Sequence, residues 1–132
     1  MQSESREYKI PPEAPPEVAI IIVNYNGKDL LEKYLPSITE LDYPEFQIII
    51  VDNNSDDDSV EFLEREFSDV RIVECETNGG LSKGNNVGVE VADDTEYIWF
   101  LNPDVRVPKN SLSHLIKYME SNPEVGISVP RI

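Results

Sequence analysis

Unbroken apolar runs alternate along this chain with stretches whose apolar residues recur every three or four positions. Residues 18–23 (Val-Ala-Ile-Ile-Ile-Val) and 46–51 (Phe-Gln-Ile-Ile-Ile-Val) are rich in β-branched side chains. Runs of that length and content suit strands buried on both faces of a parallel sheet. Residues 70–75 form a third, shorter run. Tyr97 to Leu101 forms a fourth, also expected to be buried on both faces. Pro103 cannot donate to a sheet ladder, so that strand must stop before it. Between the runs the period changes to that of a helix. Lys28 to Thr39 carries a stripe of Leu31, Leu35 and Ile38, flanked by Leu30 and Tyr34. A second helix, capped by Ser55 or an early aspartate, runs to about residue 67 with Val60, Leu63 and Phe67 on one face. A third covers 82–91 and a fourth 109–121, the latter with Leu112, Leu115, Ile116 and Met119 inward and His114 outward. Residues 125–129 read as a fifth strand.

Strand and helix in strict alternation imply parallel strands joined by right-handed crossovers and covered by helices. The expected class is therefore α/β: a three-layer αβα, Rossmann-like domain with a mainly parallel sheet. Residues 1–16 are polar and proline-rich with no hydrophobic period, and read as a flexible arm. The domain is expected over 17–132. Gly84 and Gly88 sit inside the third helix, where each costs about 1 kcal/mol against alanine. Glycines on one helical face mean that something, backbone or ligand, comes close.

Charge narrows the partners. The 26 acidic against 11 basic residues leave a formal net charge of -15, which argues against nucleic acid and anionic membrane surfaces. A phosphorylated ligand would need a cation or backbone N–H groups to offset repulsion. The single cysteine, Cys75, excludes an internal disulfide and fits a reducing, cytoplasmic compartment. It reads as a small core residue. No apolar run approaches the length of a membrane span.

In a parallel sheet every strand-to-helix loop leaves by the same edge, the edge where ligands bind in open α/β sheets. Asn24 to Gly27, Asp52 to Asp58, Glu76 to Ser82 and Asn102 to Asp104 should converge there, and all are rich in Asn, Asp or Gly. Ordinary turn chemistry explains each loop taken singly. The dinucleotide and P-loop glycine patterns are both absent, which leaves a mononucleotide site of another design. Tyr25 could border a base, and Asp52 could accept a hydrogen bond from a base N–H. Gly79 and Gly80 would admit a ribose or phosphate. Asp104 would hold a divalent cation, since magnesium takes only one or two carboxylates and fills its shell with water and phosphate oxygens.

Taken in order, Val23-Asn24-Tyr25-Asn26, Val51-Asp52-Asn53-Asn54-Ser55, Asn78-Gly79-Gly80 with Asn86-Val87-Gly88, and Leu101-Asn102-Pro103-Asp104 resemble the successive motifs of family 2 glycosyltransferases. The resemblance covers residues 18–132, and its last motif is similar to that of rhamnosyltransferase-like members. It implies a GT-A fold and an inverting, metal-dependent transfer of sugar from a nucleotide-diphosphate sugar to an acceptor hydroxyl, as in cell-wall or polysaccharide biosynthesis. It implies that Tyr25, with Asn24 and Asn26, borders the base, and that Asp52, with Asn54 beside it, contacts it. Asn78, Gly80 and Asn86 would line the nucleotide-sugar. Asn102 and Asp104 stand where the family has its D-x-D metal motif. Asn102 replaces the first acid, so Asp104 is the one carboxylate left to bind Mn2+ or Mg2+.

The resemblance places the general base in an acceptor-binding half well beyond Asn-Pro-Asp. No catalytic residue is assigned, and the chain is expected to be the donor-binding portion alone. The expected partners are a UDP- or dTDP-linked sugar and an acceptor that is lipid-linked or peripheral to the inner face of the membrane. A homodimer is expected through the edge of the fifth strand. The alternatives are a non-catalytic nucleotide-sugar-binding module and a structural α/β domain.

Overall fold

The computed structural model describes residues 15–92 and 95–129. Its strands are β1 (Val18–Asn24), β2 (Phe46–Asp52), β3 (Arg71–Glu74) and β4 (Tyr97–Leu101), and its helices α1 (Lys28–Thr39), α2 (Ser59–Glu66), α3 (Leu81–Val91) and α4 (Ser111–Ser121). All strand pairs are parallel, in the order β3-β2-β1-β4. The alternation seen in the sequence is thus an αβα sandwich with β1 and β2 at its centre.

Alternate residues of the central strands supply the two faces. Ile20, Ile22, Ile48 and Ile50 pack with Leu31, Leu35 and Ile38 of α1, Phe62 and Leu63 of α2, and Leu112 and Ile116 of α4. Ala19, Ile21, Val23, Ile49 and Val51 face the other way, under Val87 and Val91 of α3. The step from β1 through β2 to β3 runs one way with α1 and α2 on one face. The step from β3 to β4 runs back across the sheet with α3 on the opposite face, as right-handed crossovers require. Full burial of each of these branched side chains contributes roughly 1.5–3 kcal/mol.

The glycines of α3 are explained by that packing. A Cβ on Gly84 would lie 2.8 Å from Val23 Cγ1, and one on Gly88 would lie 2.5 Å from Ile21 Cγ2. What comes close is the side-chain surface of β1, so the helix beds directly on the sheet.

Several expectations change. The β1–β2 ladder runs one residue past the apolar runs, so Asn24 pairs in register with Asp52. On α2 the inward residues are Ser59, Phe62 and Leu63. Val60 is only half-buried, and Phe67 caps the helix with its ring 5.9 Å from that of Phe62. β4 is half-buried on one face and open on the other. Ile98 and Phe100 are 37% and 51% exposed, because α3 covers β1 and β2 and leaves β4 open. The expected strand at 125–129 does not form. Its residues find no ladder partner, and Ile127 and Val129 are 88% and 84% exposed. The free sheet edge among the described residues on that side is β4, which removes the strand through which a dimer was expected.

Most of the expected arm lies outside the described residues. Pro16, at its end, is buried, and its carbonyl accepts the Tyr43 hydroxyl at 2.5 Å. The chain is therefore already fixed before β1 begins. Among the described residues no helix is long and apolar enough to cross a membrane.

Candidate functional site

The carboxyl edge of the sheet is organised by Asp52. Ladder pairing sets it beside Asn24, and both are buried, at 2% and 0% exposure. Asn24 donates from Nδ2 to Asp52 Oδ1 at 2.9 Å and to Ser55 Oγ at 3.3 Å. Its Oδ1 accepts the Gly27 N–H at 3.1 Å. Ser55 donates its hydroxyl to Asp52 Oδ1 at 2.7 Å and its backbone N–H to Asp52 Oδ2 at 2.9 Å. The same hydroxyl accepts the Asn26 N–H at 2.9 Å. A buried carboxylate is costly unless hydrogen-bonded, and this one is held by three donors.

The loops after β1 and β2 are tied further out as well. Asn26 has φ 51°, a left-handed conformation that asparagine tolerates. Its Oδ1 accepts the Asp56 N–H at 2.6 Å and the Asp57 N–H at 3.2 Å. Lys28 donates its N–H to Asp57 Oδ2 at 3.2 Å, and its ammonium lies 3.4 Å from Asp58 Oδ2. Asp57 Oδ1 also accepts the Ser59 hydroxyl and, at 3.0 Å, the Ser59 N–H, which covers the start of α2. Burial works against ionisation of Asp57. The bonds from Ser59 and Lys28 and the Lys28 charge outweigh it, so the carboxyl is held below its ordinary value.

The third loop joins through Asn53, which donates from Nδ2 to the Gly80 carbonyl at 3.1 Å. Gly80 caps α3 at φ 93°, where a side chain would be strained. Its N–H is accepted by Asn78 Oδ1 at 3.0 Å. The fourth loop stands apart. Leu101 pairs with Ile22, so Asn102 and Asp104 leave the sheet at the same edge, beside Asn24. Both are exposed, and among the described residues neither side chain bonds to the other loops. From there the chain turns along α1, where the Arg106 guanidinium lies 5.5 Å from the Tyr34 ring and the Val107 N–H donates to Ser37 Oγ at 3.2 Å.

The sequence-predicted residues thus fall into groups. Asn24 and Asn26 brace one loop against the next. Asn24 is fully buried, with its amide donating to Asp52 and Ser55 and its oxygen accepting the Gly27 N–H. Asp52 is the centre of the network. Tyr25, 48% exposed, and the exposed Asn54, at φ 62°, stand on its outer rim. Asn78 and Gly80 shape the start of α3. Asn86 is exposed midway along α3 and is not joined to the loops. Ser55 and Asn53 are site residues that sequence reasoning does not single out. The signal for Ser55 is its place three residues after Asp52, the spacing of a side chain closing a turn on its own backbone.

A cavity of about 550 Å³ lies beside this network, lined by Asn26, Lys28, Asp29, Asp56, Asp57 and Asp58. Its aspartates make it a poor place for a phosphate.

Comparisons with known proteins agree with one another. A family model, Glycosyl transferase family 2, matches residues 19–132. The poly-beta-1,6-N-acetyl-D-glucosamine synthase of Staphylococcus epidermidis is 27% identical over 111 residues, which cover 83% of this chain and 27% of that protein. An uncharacterized glycosyltransferase of Bacillus subtilis, EpsJ, is 30% identical over 110 residues, covering 81% of this chain and 31% of its own. The chain thus spans about a third or less of the length of these curated relatives. Among solved structures, S. aureus TarS 1-349 in complex with UDP superposes with a TM-score of 0.74 at 25% identity, over 81% of this chain and 33% of that one. The mannosyltransferase PcManGT from Pyrobaculum calidifontis, in complex with GDP-Man and Mn2+, gives 0.73 at 26%, over 79% and 32%. The sheet and its flanking helices are those of the GT-A fold.

Proposed function

The chain belongs to glycosyl transferase family 2, a family of nucleotide-sugar-dependent enzymes, and from that premise we propose that its carboxyl-edge loops form the donor-binding part of an inverting, metal-dependent transferase. The observation that supports this reading is the buried Asp52 carboxylate, held between two cross-linked loops at the edge where α/β sheets receive ligands. Asp52 accepts a hydrogen bond from the base. Tyr25 borders the base, and Asn54 completes the rim. Asn78 and Gly80 let the backbone approach the sugar or phosphate, with Asn86 further along α3. The nucleotides and nucleotide-sugars in the similar structures make a UDP- or GDP-linked donor the class to try first, with dTDP-sugars beside them.

The residues present fit a divalent cation only in part. Among the described residues no three His, Cys, Asp or Glu side chains are grouped to hold a metal. Asp104 is a single exposed carboxylate, with the amide of Asn102 beside it. That set suits a cation that keeps one or two protein ligands and completes its shell with phosphate oxygens and water. A cation bound there would offset the charge of the departing nucleoside diphosphate. On this reading the chain binds and orients the donor, and none of these edge residues serves as the general base. The acceptor, lipid-linked or otherwise, is engaged by the further length that its relatives have.

The test is titration of the chain with UDP, UDP-sugars, dTDP-sugars and GDP-sugars, with Mn2+ and with chelator, alongside an assay for released nucleoside diphosphate. Binding that needs Mn2+ and disappears in Asp104→Ala, with the unfolding temperature unchanged, is the expected result. A folded chain that binds none of these ligands refutes the proposal. If Asp104→Ala binds as tightly as the wild type, the metal role is wrong.

A further inference from the structure

Among the described residues, Ser55 is the one that reaches both oxygens of Asp52. We infer that Ser55 is a positioning residue that orients the Asp52 carboxylate and thereby sets selectivity for bases with a ring N–H. The inference rests on the reading of Asp52 as the base contact. An ionised carboxylate is an acceptor only and offers about four lone-pair positions. Oδ1 already takes two donors, the Asn24 amide at 2.9 Å and the Ser55 hydroxyl at 2.7 Å. Oδ2 takes one, the Ser55 N–H at 2.9 Å. One position remains, on Oδ2, and it can be satisfied only by a donor.

Uracil, thymine and guanine present a ring N–H that meets this requirement. Cytosine and adenine present an acceptor ring nitrogen at that place, which sets lone pair against lone pair unless the base shifts to offer its exocyclic amine. A site built around a buried polar group discriminates strongly when the ligand cannot pair it. The discrimination depends on the carboxylate being unable to rotate. Asn24 is buried, with both amide hydrogens donated and its oxygen accepting the Gly27 N–H, so it fixes Oδ1 of the carboxylate. Ser55 holds Oδ2 with its N–H and shares Oδ1 with Asn24 through its hydroxyl. The Ser55 hydroxyl is in turn held by the Asn26 N–H at 2.9 Å, so the orientation is set by both loops. Without the hydroxyl, Oδ1 loses a donor and the carboxylate gains a rotational freedom that a ligand must then remove.

The experiment measures UDP and CDP affinity, with Mn2+ present throughout, for the wild-type chain, Ser55→Ala and Ser55→Thr. Wild type should favour UDP over CDP. Ser55→Ala should lose roughly tenfold in UDP affinity with little change for CDP, so that the selectivity ratio falls. Ser55→Thr keeps hydroxyl and N–H and should restore the ratio. If Ser55→Ala does not fold, Ser55→Cys, a weak donor, is expected to lower the ratio in the same direction. Equal weakening of both nucleotides would make Ser55 merely structural and overturn the inference, as would an unchanged ratio. A wild-type chain that binds neither nucleotide overturns the inference together with the proposed function, whereas selective wild-type binding that Ser55 does not affect overturns the inference alone.

Discussion

Replacing Asn24 by aspartate keeps the shape of the side chain and changes one contact from favourable to unfavourable. The Asn24 amide lies 2.9 Å from Asp52 Oδ1, and the two residues are 0% and 2% exposed. In Asn24→Asp two carboxylates meet at that distance away from solvent, and they cannot both stay ionised. The pair escapes by keeping a proton that an unfolded carboxyl would release. The folded-state pKa of the pair is therefore raised, so the native state binds more protons than the unfolded one and stability falls as pH rises. Holding one proton at pH 7 against an unfolded pKa of roughly 3.9 costs about 4 kcal/mol. At pH 5 the same proton costs about 1.5 kcal/mol, so the penalty should shrink by about 2.7 kcal/mol between the two. The protonated carboxyl can still donate to Asp52, which keeps the low-pH penalty small. Asn24→Ala is the control: it removes the amide without adding charge and should cost about 1–3 kcal/mol at either pH. Urea denaturation of the three proteins at pH 7 and pH 5, each compared with wild type at the same pH, reads the difference directly. An Asn24→Asp penalty equal at both pH values, or smaller than that of Asn24→Ala at pH 7, would refute the buried Asn24–Asp52 contact.

Gly88→Ala gains about 1 kcal/mol of helix propensity but puts a methyl 2.5 Å from Ile21 Cγ2, with Cδ1 and Cγ1 at 3.1 and 3.2 Å. Overpacking of that kind costs roughly 1–3 kcal/mol, so the variant should be less stable by up to about 2 kcal/mol, and Ile21→Ala should be non-additive with it in a double-mutant cycle; a variant at least as stable as wild type would contradict the close packing of α3. Asp57, whose carboxyl is held below its ordinary value of 3.8, stabilises the fold above that value and loses its contribution as pH falls through the lowered one. Asp57→Asn should accordingly be destabilised near neutral pH and lose less of its remaining stability between pH 5 and pH 3 than wild type does. Parallel acid limbs in the two denaturation series would show that the bonds from Ser59 and Lys28 carry no such linkage.

The central architecture was legible because β1 and β2 are long, β-branched and uninterrupted, and α1 carries a clean stripe of Leu31, Leu35 and Ile38. Such signals are local, and the fold amplifies them. What depended on neighbours was not legible. Tyr97 to Leu101 is as apolar as β1, yet its outer face is bare because α3 lies over the centre of the sheet. Residues 125–129 have strand composition, but a strand exists only where a ladder partner does. At the site, the sequence drew attention to Asn24, Asp52 and Asp104 by their place at the ends of apolar runs. It could not show that the ladder extends one residue further and sets Asn24 against Asp52, since register is a property of two strands together. Asn53 was missed for the same reason, its partner Gly80 lying 27 residues away; the Ser55–Asp52 turn is local, but the bonds that tie Ser55 to Asn24 and Asn26 span 31 and 29 residues.

The edge is therefore built unequally. Asn24, Asp52, Ser55, Asn53 and Gly80 hold three loops together before any ligand arrives, and groups held that way add little ordering cost on binding. Among the described residues Asn102 and Asp104 share no side-chain bond with them, and the loop is anchored instead by the β1–β4 ladder before it and the Val107–Ser37 bond after it. In a protein with a net charge of -15, beside a cavity walled by aspartates, a diphosphate meets a surplus of negative charge, with the Lys83 side chain beside Gly79 a cation near the third loop. On the proposed reading the base is met by a rigid carboxylate, and a cation at Asp104 would offset charge on the diphosphate. Asp104, with Asn102 beside it, would hold such a cation, which would relieve the repulsion at the fourth loop. That division of labour gives Asp52 and Asp104 opposite demands: one must be immobile and paired in advance, and the other must be exposed and free to take a ligand. Asp52 is nearly inaccessible with three donors, and Asp104 is solvent-exposed.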